Sequence, residues 1–323
     1  MRKGPCRPPR TQPAFIFGTM LALTFLGTSA ARPTVERNVS SLALVREGET
    51  LLFDCGEGTQ RQMMRFGVSF ALRDIFFTHF HADHFLGVIG LMRTLGLQGR
   101  EEPMRLWGPK GAKQVLQAAL TLGVERVPFD VAIEEVKPGQ VLPRDGYALH
   151  VFATEHGAGS VGYALVEAER YGKFDPEKAR ALGVPEGPLW GKLQRGETVG
   201  LADGRQLTAD SVVGPKRPGR KVVLTGDTRP VATVIDAAQG ADLLVHEATF
   251  GEEDKERAVE TNHSTAREAA QVALAAKVRR LVLNHLSARY SISADELVSE
   301  AREVFPEVVA AKDGMTVEVP FSD

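Results

Sequence analysis

Residues 78–84, Thr-His-Phe-His-Ala-Asp-His, constrain this chain more than any other stretch. His79, His81, Asp83 and His84 crowd four good metal-ligand side chains into one short segment. The segment follows Asp74-Ile-Phe-Phe-Thr78, a short apolar run with the look of a buried strand. Phe85–Leu95 follows, with the spacing of a helix. A loop between strand and helix is a rigid mount for a site. On an extended segment His79 and His81 point the same way, because side chains repeat every two residues. Asp83 and His84 begin the turn into the helix and can face the same point from another side. Three imidazoles and a carboxylate suit zinc or a similar divalent ion. One ion rarely takes all four from so short a loop, so the pattern points to two ions side by side. The alternative is a polar surface loop.

Two ions need more ligands, and the chain has only eight histidines. His156 follows the apolar stretch Ala148-Leu-His-Val-Phe-Ala153. Asp227 lies in Val222-Val-Leu-Thr-Gly-Asp-Thr228, and His285 ends Leu281-Val-Leu-Asn-His285. Each is a ligand type just past a predicted strand, where chemistry collects in layered α/β folds. Taken singly, each reads equally as an ordinary loop residue.

A chain of 323 residues can bury a sizeable core as one α/β domain. Its 43% hydrophobic and 25% charged content are ordinary for a globular protein. The net charge of −2 excludes a globally basic nucleic-acid binder, so any such surface must be a local patch. Two cysteines, Cys6 and Cys55, make no disulfide framework. Strands are expected near 22–26, 42–45, 51–53, 75–77, 105–107, 131–136, 149–153, 161–165, 222–224, 243–246, 281–284, 308–311 and 317–319. Helices are expected near 59–66, 85–97, 111–122, 230–237, 266–277 and 294–304. Thr265 and Glu268 form a capping box that opens one of them. No short repeat is evident.

The His-x-His-x-Asp-His pattern resembles the signature of the metallo-β-lactamase superfamily. Further segments resemble the bacterial RNase Z (tRNase Z) family, the tRNA 3′-processing endoribonucleases of that superfamily. They are Phe25-Leu-Gly-Thr-Ser-Ala30, Arg37-Asn38, Phe53-Asp-Cys-Gly-Glu-Gly-Thr-Gln60, Ser160-Val-Gly-Tyr163 and Gly187-Pro-Leu-Trp-Gly-Lys192. Thr225-Gly-Asp-Thr-Arg-Pro230, His246-Glu-Ala-Thr249, His263-Ser-Thr265 and His285-Leu-Ser-Ala-Arg-Tyr290 complete the set, in family order. The resemblance implies an α/β fold, the αβ/βα four-layer sandwich, over residues 20–323, with a protruding flexible arm at about 168–221. It implies two Zn2+ per subunit, with Mn2+ or another divalent ion as the alternative. His79, His81, His156 and Asp227 would hold one ion. Asp83, His84, His285 and the shared Asp227 would hold the other.

The same resemblance implies roles around those ligands. Asp83 would orient the attacking water and take its proton. His263 would protonate the leaving 3′ oxygen, with Glu247 fixing its tautomer and raising its pKa. Asp54 would hydrogen-bond the histidine loop. Arg289, Ser264 and Thr265 would contact phosphates near the cut, although Arg289 reads equally as a surface ion pair. Ser29, Arg37 and Asn38 would flank the acceptor stem. The implied substrate is precursor tRNA and the implied assembly a homodimer, with no protein partner evident beyond it. A metallo-β-lactamase-fold hydrolase of small esters, and a non-catalytic relative, are the competing readings.

The apolar periodicity fades from Ala168 to Lys221, where Gly, Pro and basic residues take over. That segment holds 11 Lys/Arg against 7 Asp/Glu, a local balance of +4. It is either a soluble insertion or the family's RNA-gripping arm, with Lys192, Arg195, Lys173 and Arg180 as the phosphate contacts. The N-terminus has the outline of a secretory signal peptide: basic to Arg10, apolar to Gly27, small at Thr28–Ala31. Cleavage there would remove the first strand, so the expectation is a cytoplasmic chain with residues 1–19 as a disordered extension. No other stretch has the length of a membrane span.

Overall fold

Residues 20–124, 126–157 and 159–322 are described by a computed structural model. The first half comprises β1 (Leu21–Gly27), β2 (Ser41–Arg46), β3 (Glu49–Phe53), α1 (Thr59–Phe66), β4 (Leu72–Phe76), α2 (Ala82–Phe85), α3 (Gly87–Leu97), β5 (Met104–Gly108), α4 (Ala112–Thr121) and β6 (Val131–Glu135). Next come β7 (Val141–Arg144), β8 (Tyr147–Ala153) and β9 (Val161–Glu167). An insertion carries α5 (Pro176–Ala181), α6 (Pro188–Gln194), β10 (Val199–Gly200) and β11 (Gln206–Leu207). The chain then forms β12 (Lys221–Leu224), α7 (Ala232–Ala238), β13 (Leu243–Glu247), α8 (Lys255–Glu260), α9 (Ala266–Ala275), β14 (Leu281–Asn284), α10 (Asp295–Arg302), β15 (Val308–Ala310) and β16 (Thr316–Glu318).

The strands make two large sheets, ordered β16-β1-β2-β3-β4-β5-β6 and β15-β14-β13-β12-β9-β8-β7. Starting from β16 and from β7, each sheet runs through antiparallel pairs and then parallel ones. The halves therefore share one topology that no sequence repeat betrays.

Period-two alternation explains the layers. Leu21, Leu23 and Phe25 of β1 face inward and meet Val222 and Leu224 of β12 and Leu243 and Val245 of β13. Leu26, Leu52 and Ile75 face outward, under α1, α3 and α4. Val223 and Leu244 face outward on the other side, under α7, α9 and α10. The result is helix, sheet, sheet, helix, with apolar side chains interdigitating between layers. The Thr265–Glu268 capping box is present at the start of α9. Among the described residues, no helix is long and apolar enough to cross a membrane. The signal-like outline and the extension over 1–19 lie outside the described residues.

Three features differ from the sequence expectations. β7 carries Pro143 and lacks clean alternation, as befits an edge strand. α8 is short and largely charged, so it offers no apolar stripe. The insertion, where periodicity fades, is nevertheless built. Its neck pairs Arg170 with Arg217 and Phe174 with Val213. A side chain at Gly172 would meet the Gly214 carbonyl at 2.1 Å, so glycine is what lets the two neck strands close. Beyond the neck, Ala179, Val184, Leu193, Val199, Leu207 and Val212 form a small separate core. Helices this short give too few turns for a period to register.

Candidate metal centre

The loops after β4, β8, β12 and β14 converge at one edge of the sandwich. α2 brings Asp83 and His84 inward within one turn, and His81 is its N-cap. Gly226 has φ +63°, and a side chain there would lie 2.7 Å from Thr78 Cβ. Glycine thus lets the Asp227 turn dock on the histidine loop. Asp54 and His285, with φ of +55° and +54°, adopt the left-handed conformation without being glycine. Such strain survives only where surroundings over-determine it.

The geometry converges on Asp227. Its Oδ2 lies 3.6 Å from His79 Nε2, 3.3 Å from His84 Nε2, 3.7 Å from His156 Nε2 and 3.3 Å from His285 Nε2. Three groups of ligand atoms each fall within 4.8 Å of one another: His79, His81, His156 and Asp227; Asp83, His84 and His285; and Asp227, His263 and His285. His81 is the exposed member and His263 is half-buried; the others are buried.

Most of these imidazoles are turned by an oxygen on the outer ring nitrogen. His79 Nδ1 meets Thr78 Oγ1 at 3.1 Å and His84 Nδ1 meets Asp54 Oδ2 at 2.8 Å. His156 Nδ1 faces the Asn262 carbonyl at 2.8 Å, and His285 Nδ1 faces Thr249 Oγ1 at 2.9 Å. Asp54 also accepts the Thr78 N–H at 2.8 Å. Outer partners of this kind fix tautomer and orientation, so the inner nitrogens share one space. Thr78, Thr249, the Asn262 carbonyl and the Ala31 N–H, which reaches Asp83 Oδ2 at 2.8 Å, were not legible as site groups. Only the position of Thr249 inside the His-Glu-Ala-Thr segment hinted at one.

Buried His79 Nε2 and Asp227 Oδ1 have no hydrogen-bond partner among the described residues. A cluster of nitrogen and carboxylate donors with such orphaned atoms fits divalent cations. Burial, then the neighbouring imidazolium of His84, pushes His79 well below the ordinary histidine range. Burial opposes the charge on Asp83 and Asp227, but hydrogen-bonded and nearby histidines hold both carboxyls below their ordinary range. Neutral imidazole and ionised carboxylate are the cation-binding forms; burial disfavours charge on His84, but the Asp227 and Asp54 carboxylates hold it well above the ordinary range, so His84 would release a proton on binding a cation.

Beside this centre, Glu247 Oε1 lies 2.8 Å from His263 Nδ1. Glu247 also accepts N–H groups from Thr228 at 2.9 Å and Ser264 at 3.1 Å. Burial disfavours charge on His263, but the Glu247 carboxylate outweighs it and lifts the imidazole to about 9. The His263 ring centroid is 4.6 Å from that of His156 and 5.2 Å from that of His285.

The residues expected to contact RNA differ in burial. Ser264 and Thr265 are fully buried and already engaged: Ser264 Oγ donates to the Thr228 carbonyl at 2.5 Å, and Thr265 caps α9. Ser29 and Arg37 are buried as well, and Arg37 donates to carbonyls of Tyr290 and Ala311, so they brace the loop from inside. Arg289 forms an ion pair with Asp254 at the surface. Lys192, Lys173, Arg195 and Arg180 lie exposed on the insertion, away from the centre. Arg195 pairs with Glu197, and Arg180 with Glu177 and Glu186.

Fold and centre together define a hydrolase of the metallo-β-lactamase superfamily. The model of the β-lactamase superfamily domain matches residues 193–286, and that of the anti-Pycsar protein Apyc1 matches residues 21–171. The chain is 56% identical to the ribonuclease Z of Gemmatimonas aurantiaca, covering 94% of this chain and 97% of that one. It is 56% identical to the ribonuclease Z of Myxococcus xanthus, over 94% and 100%. The crystal structure of the short form of human tRNase Z superposes with a TM-score of 0.68 at 28% identity, over 93% and 100%. The chain belongs to the ribonuclease Z family and is an endoribonuclease.

Proposed function

We propose that this enzyme removes the 3′ trailer of precursor tRNA, with two divalent ions, zinc in the first place, as cofactors. The observation that carries the reading is the Asp227 carboxylate, whose Oδ2 lies 3.6 Å from His79 of one ligand group and 3.3 Å from His84 and His285 of the other, beside the Glu247–His263 pair. His79, His81, His156 and Asp227 would hold one ion, and Asp83, His84, His285 and Asp227 the other. Bound there, the ions supply Lewis-acid stabilisation of the phosphoryl oxygens and an acidified water.

The chain's own residues then do the proton work. Asp83 orients the attacking water and accepts its proton, held in place by the Ala31 N–H. The water oxygen bonds to phosphorus as the bond to the 3′ oxygen breaks. His263 holds its Nδ1 proton on Glu247 and gives its Nε2 proton to the leaving oxygen. The products are a tRNA with a 3′ hydroxyl and a trailer with a 5′ phosphate.

The insertion leaves the sheet between β9 and β12, at the strand ends away from the centre. Lys221 to Asp227 spans roughly 20 Å at ordinary strand rise. That separation supports a remote grip on the tRNA, with Lys192 and Lys173 as the better phosphate contacts because they have no carboxylate partner among the described residues. In a homodimer the grip would serve the partner's site. The reading places the enzyme in the cytoplasm with its substrate.

The test is cleavage of precursor tRNA bearing a 3′ trailer, with and without chelator, then with zinc or manganese restored. A single metal-dependent cut at the acceptor end, lost in Asp83→Ala, is the expected result. No cut by the folded, metal-loaded enzyme would refute the tRNA assignment.

A further inference from the structure

The insertion is joined to the domain by more than its two neck strands. Phe321, near the C-terminus, packs its ring against two guanidiniums, with Arg170 Cζ 4.1 Å and Arg220 Cζ 4.0 Å from its ring centroid. Arg170 and Arg220 lie on opposite strands at the root of the neck. Arg170 also donates to the Ser322 carbonyl at 2.5 Å, and Arg220 Nη1 to the Val319 carbonyl at 3.1 Å. Arg220 is fixed from its other side by Glu167, with Nε to Oε2 at 2.7 Å and Nη2 to Oε1 at 2.8 Å. The tail itself is tied to the first sheet, where the Val319 N–H donates to the Leu21 carbonyl at 2.8 Å.

These contacts make a chain of attachment. The neck belongs to the sheet of β9 and β12, while the tail belongs to β1 and β16 in the other sheet. The latter is the sheet whose β4 leads into the histidine loop. Phe321 therefore links the root of the insertion to the layer that carries His79 to His84. Without it, the neck keeps the hydrogen bonds of Arg170 and Arg220 to the tail backbone and the Glu167–Arg46 ion pair as its ties to that sheet, and its direction is less determined.

We propose that Phe321 is a positioning residue, the core of a C-terminal clasp that aims the 168–221 insertion and thereby sets affinity for the RNA. This rests on the reading that the insertion grips precursor tRNA. An enzyme whose binding-competent pose is only partly populated binds more weakly by that fraction. The small reacting centre needs no aim from the insertion, so the effect is confined to large substrates.

The experiment compares the parent chain, Phe321→Ala and Phe321→Tyr on precursor tRNA and on bis(p-nitrophenyl) phosphate. Phe321→Ala is expected to raise KM for the tRNA by up to about tenfold, the factor matching roughly 1.4 kcal/mol of lost cation–π contact. Its kcat/KM on the small diester stays within about twofold, and Phe321→Tyr, which keeps the π face, stays near the parent. Hydrogen exchange at the Arg170 and Arg217 amides speeds up in Phe321→Ala only. Equal losses on both substrates, or unchanged exchange at the neck, overturn the clasp. A chain with residues 175–212 replaced by a short Gly-Ser link separates the two readings. If that deletion leaves the tRNA KM unchanged, the RNA grip fails. If it raises KM while Phe321→Ala does not, the clasp alone is wrong.

Discussion

Glu247, buried, and His263, half-buried, form a carboxylate–imidazole pair, Oε1 to Nδ1 2.8 Å, at the wall of the ligand cluster. The carboxylate is itself held by N–H groups of Thr228, Thr249 and Ser264, so it cannot swing away. A fixed carboxylate keeps one ring nitrogen protonated and leaves the other aimed at the site.

That pairing predicts a split between substrates. His263→Ala should lower kcat on precursor tRNA by ~10²–10⁴-fold, the ordinary worth of a positioned general acid. On bis(p-nitrophenyl) phosphate, whose leaving group needs no proton, the loss should be far smaller. Steady-state kinetics on both substrates decide it; equal losses would remove His263 from the acid role.

The same pair sets a titration. In metal-free protein His263 should titrate near the value of about 9 that Glu247 imposes against burial. A raised folded pKa means the pair stabilises the fold fully below the ordinary histidine range and loses that contribution as pH rises through about 9. Glu247→Gln removes the larger raising influence and leaves burial opposed by Asp227, so the imidazole should titrate well below about 9. Nitrogen-15 histidine spectra across pH would show whether it does.

Asp54 holds His84 by its outer nitrogen at 2.8 Å. Asp54→Ala should weaken metal affinity by roughly 10–100-fold, as loss of such an orienting partner typically does. Asp227→Ala should do worse, since its carboxylate faces four imidazoles. Metal content after dialysis against a graded chelator series measures both. Unchanged stoichiometry in Asp227→Ala would contradict the shared-ligand arrangement.

Glu167 joins Arg220 and Arg46 in a buried ion cluster, at 2.7 and 2.9 Å. Glu167→Ala should cost about 3–5 kcal/mol, because it strands a buried guanidinium. Burial opposes the charge on Glu167, yet the Arg220 hydrogen bonds hold its carboxyl below the ordinary range. The depressed folded pKa contributes stability above the unfolded glutamate pKa, and that contribution is lost as pH falls through the lower folded value. Urea midpoints between pH 6 and pH 3 should fall more steeply for the parent than for the variant.

Lys192→Ala and Lys173→Ala should weaken tRNA binding and shrink its salt dependence, each by less than one unit of the log–log slope. Arg180→Ala should do less, because Glu177 and Glu186 already neutralise that guanidinium. Binding isotherms at several salt concentrations distinguish the outcomes.

Much of the fold was legible because its strands alternate and its helices are long enough to show a period. α1 and β14 fall at their expected bounds, Thr59–Phe66 and Leu281–Asn284. β7, α8 and the elements of the insertion escaped notice, being short, polar or broken by proline. Local spacing also marked the histidine loop, since ligands a few residues apart on a strand-to-helix turn must lie near one another. Asp83 and His285, by contrast, are separated by 202 positions and come within 3.3 Å only through the packing of the two sheets. Sequence alone determined which side chains could ligate or transfer a proton, because that is covalent chemistry. Tertiary structure decided which were free to act. Ser264, Thr265 and Arg37 are buried and hydrogen-bonded within the fold. Backbone groups such as the Ala31 N–H and the Asn262 carbonyl, which every residue carries and no sequence pattern marks, were recruited only once the loops had docked.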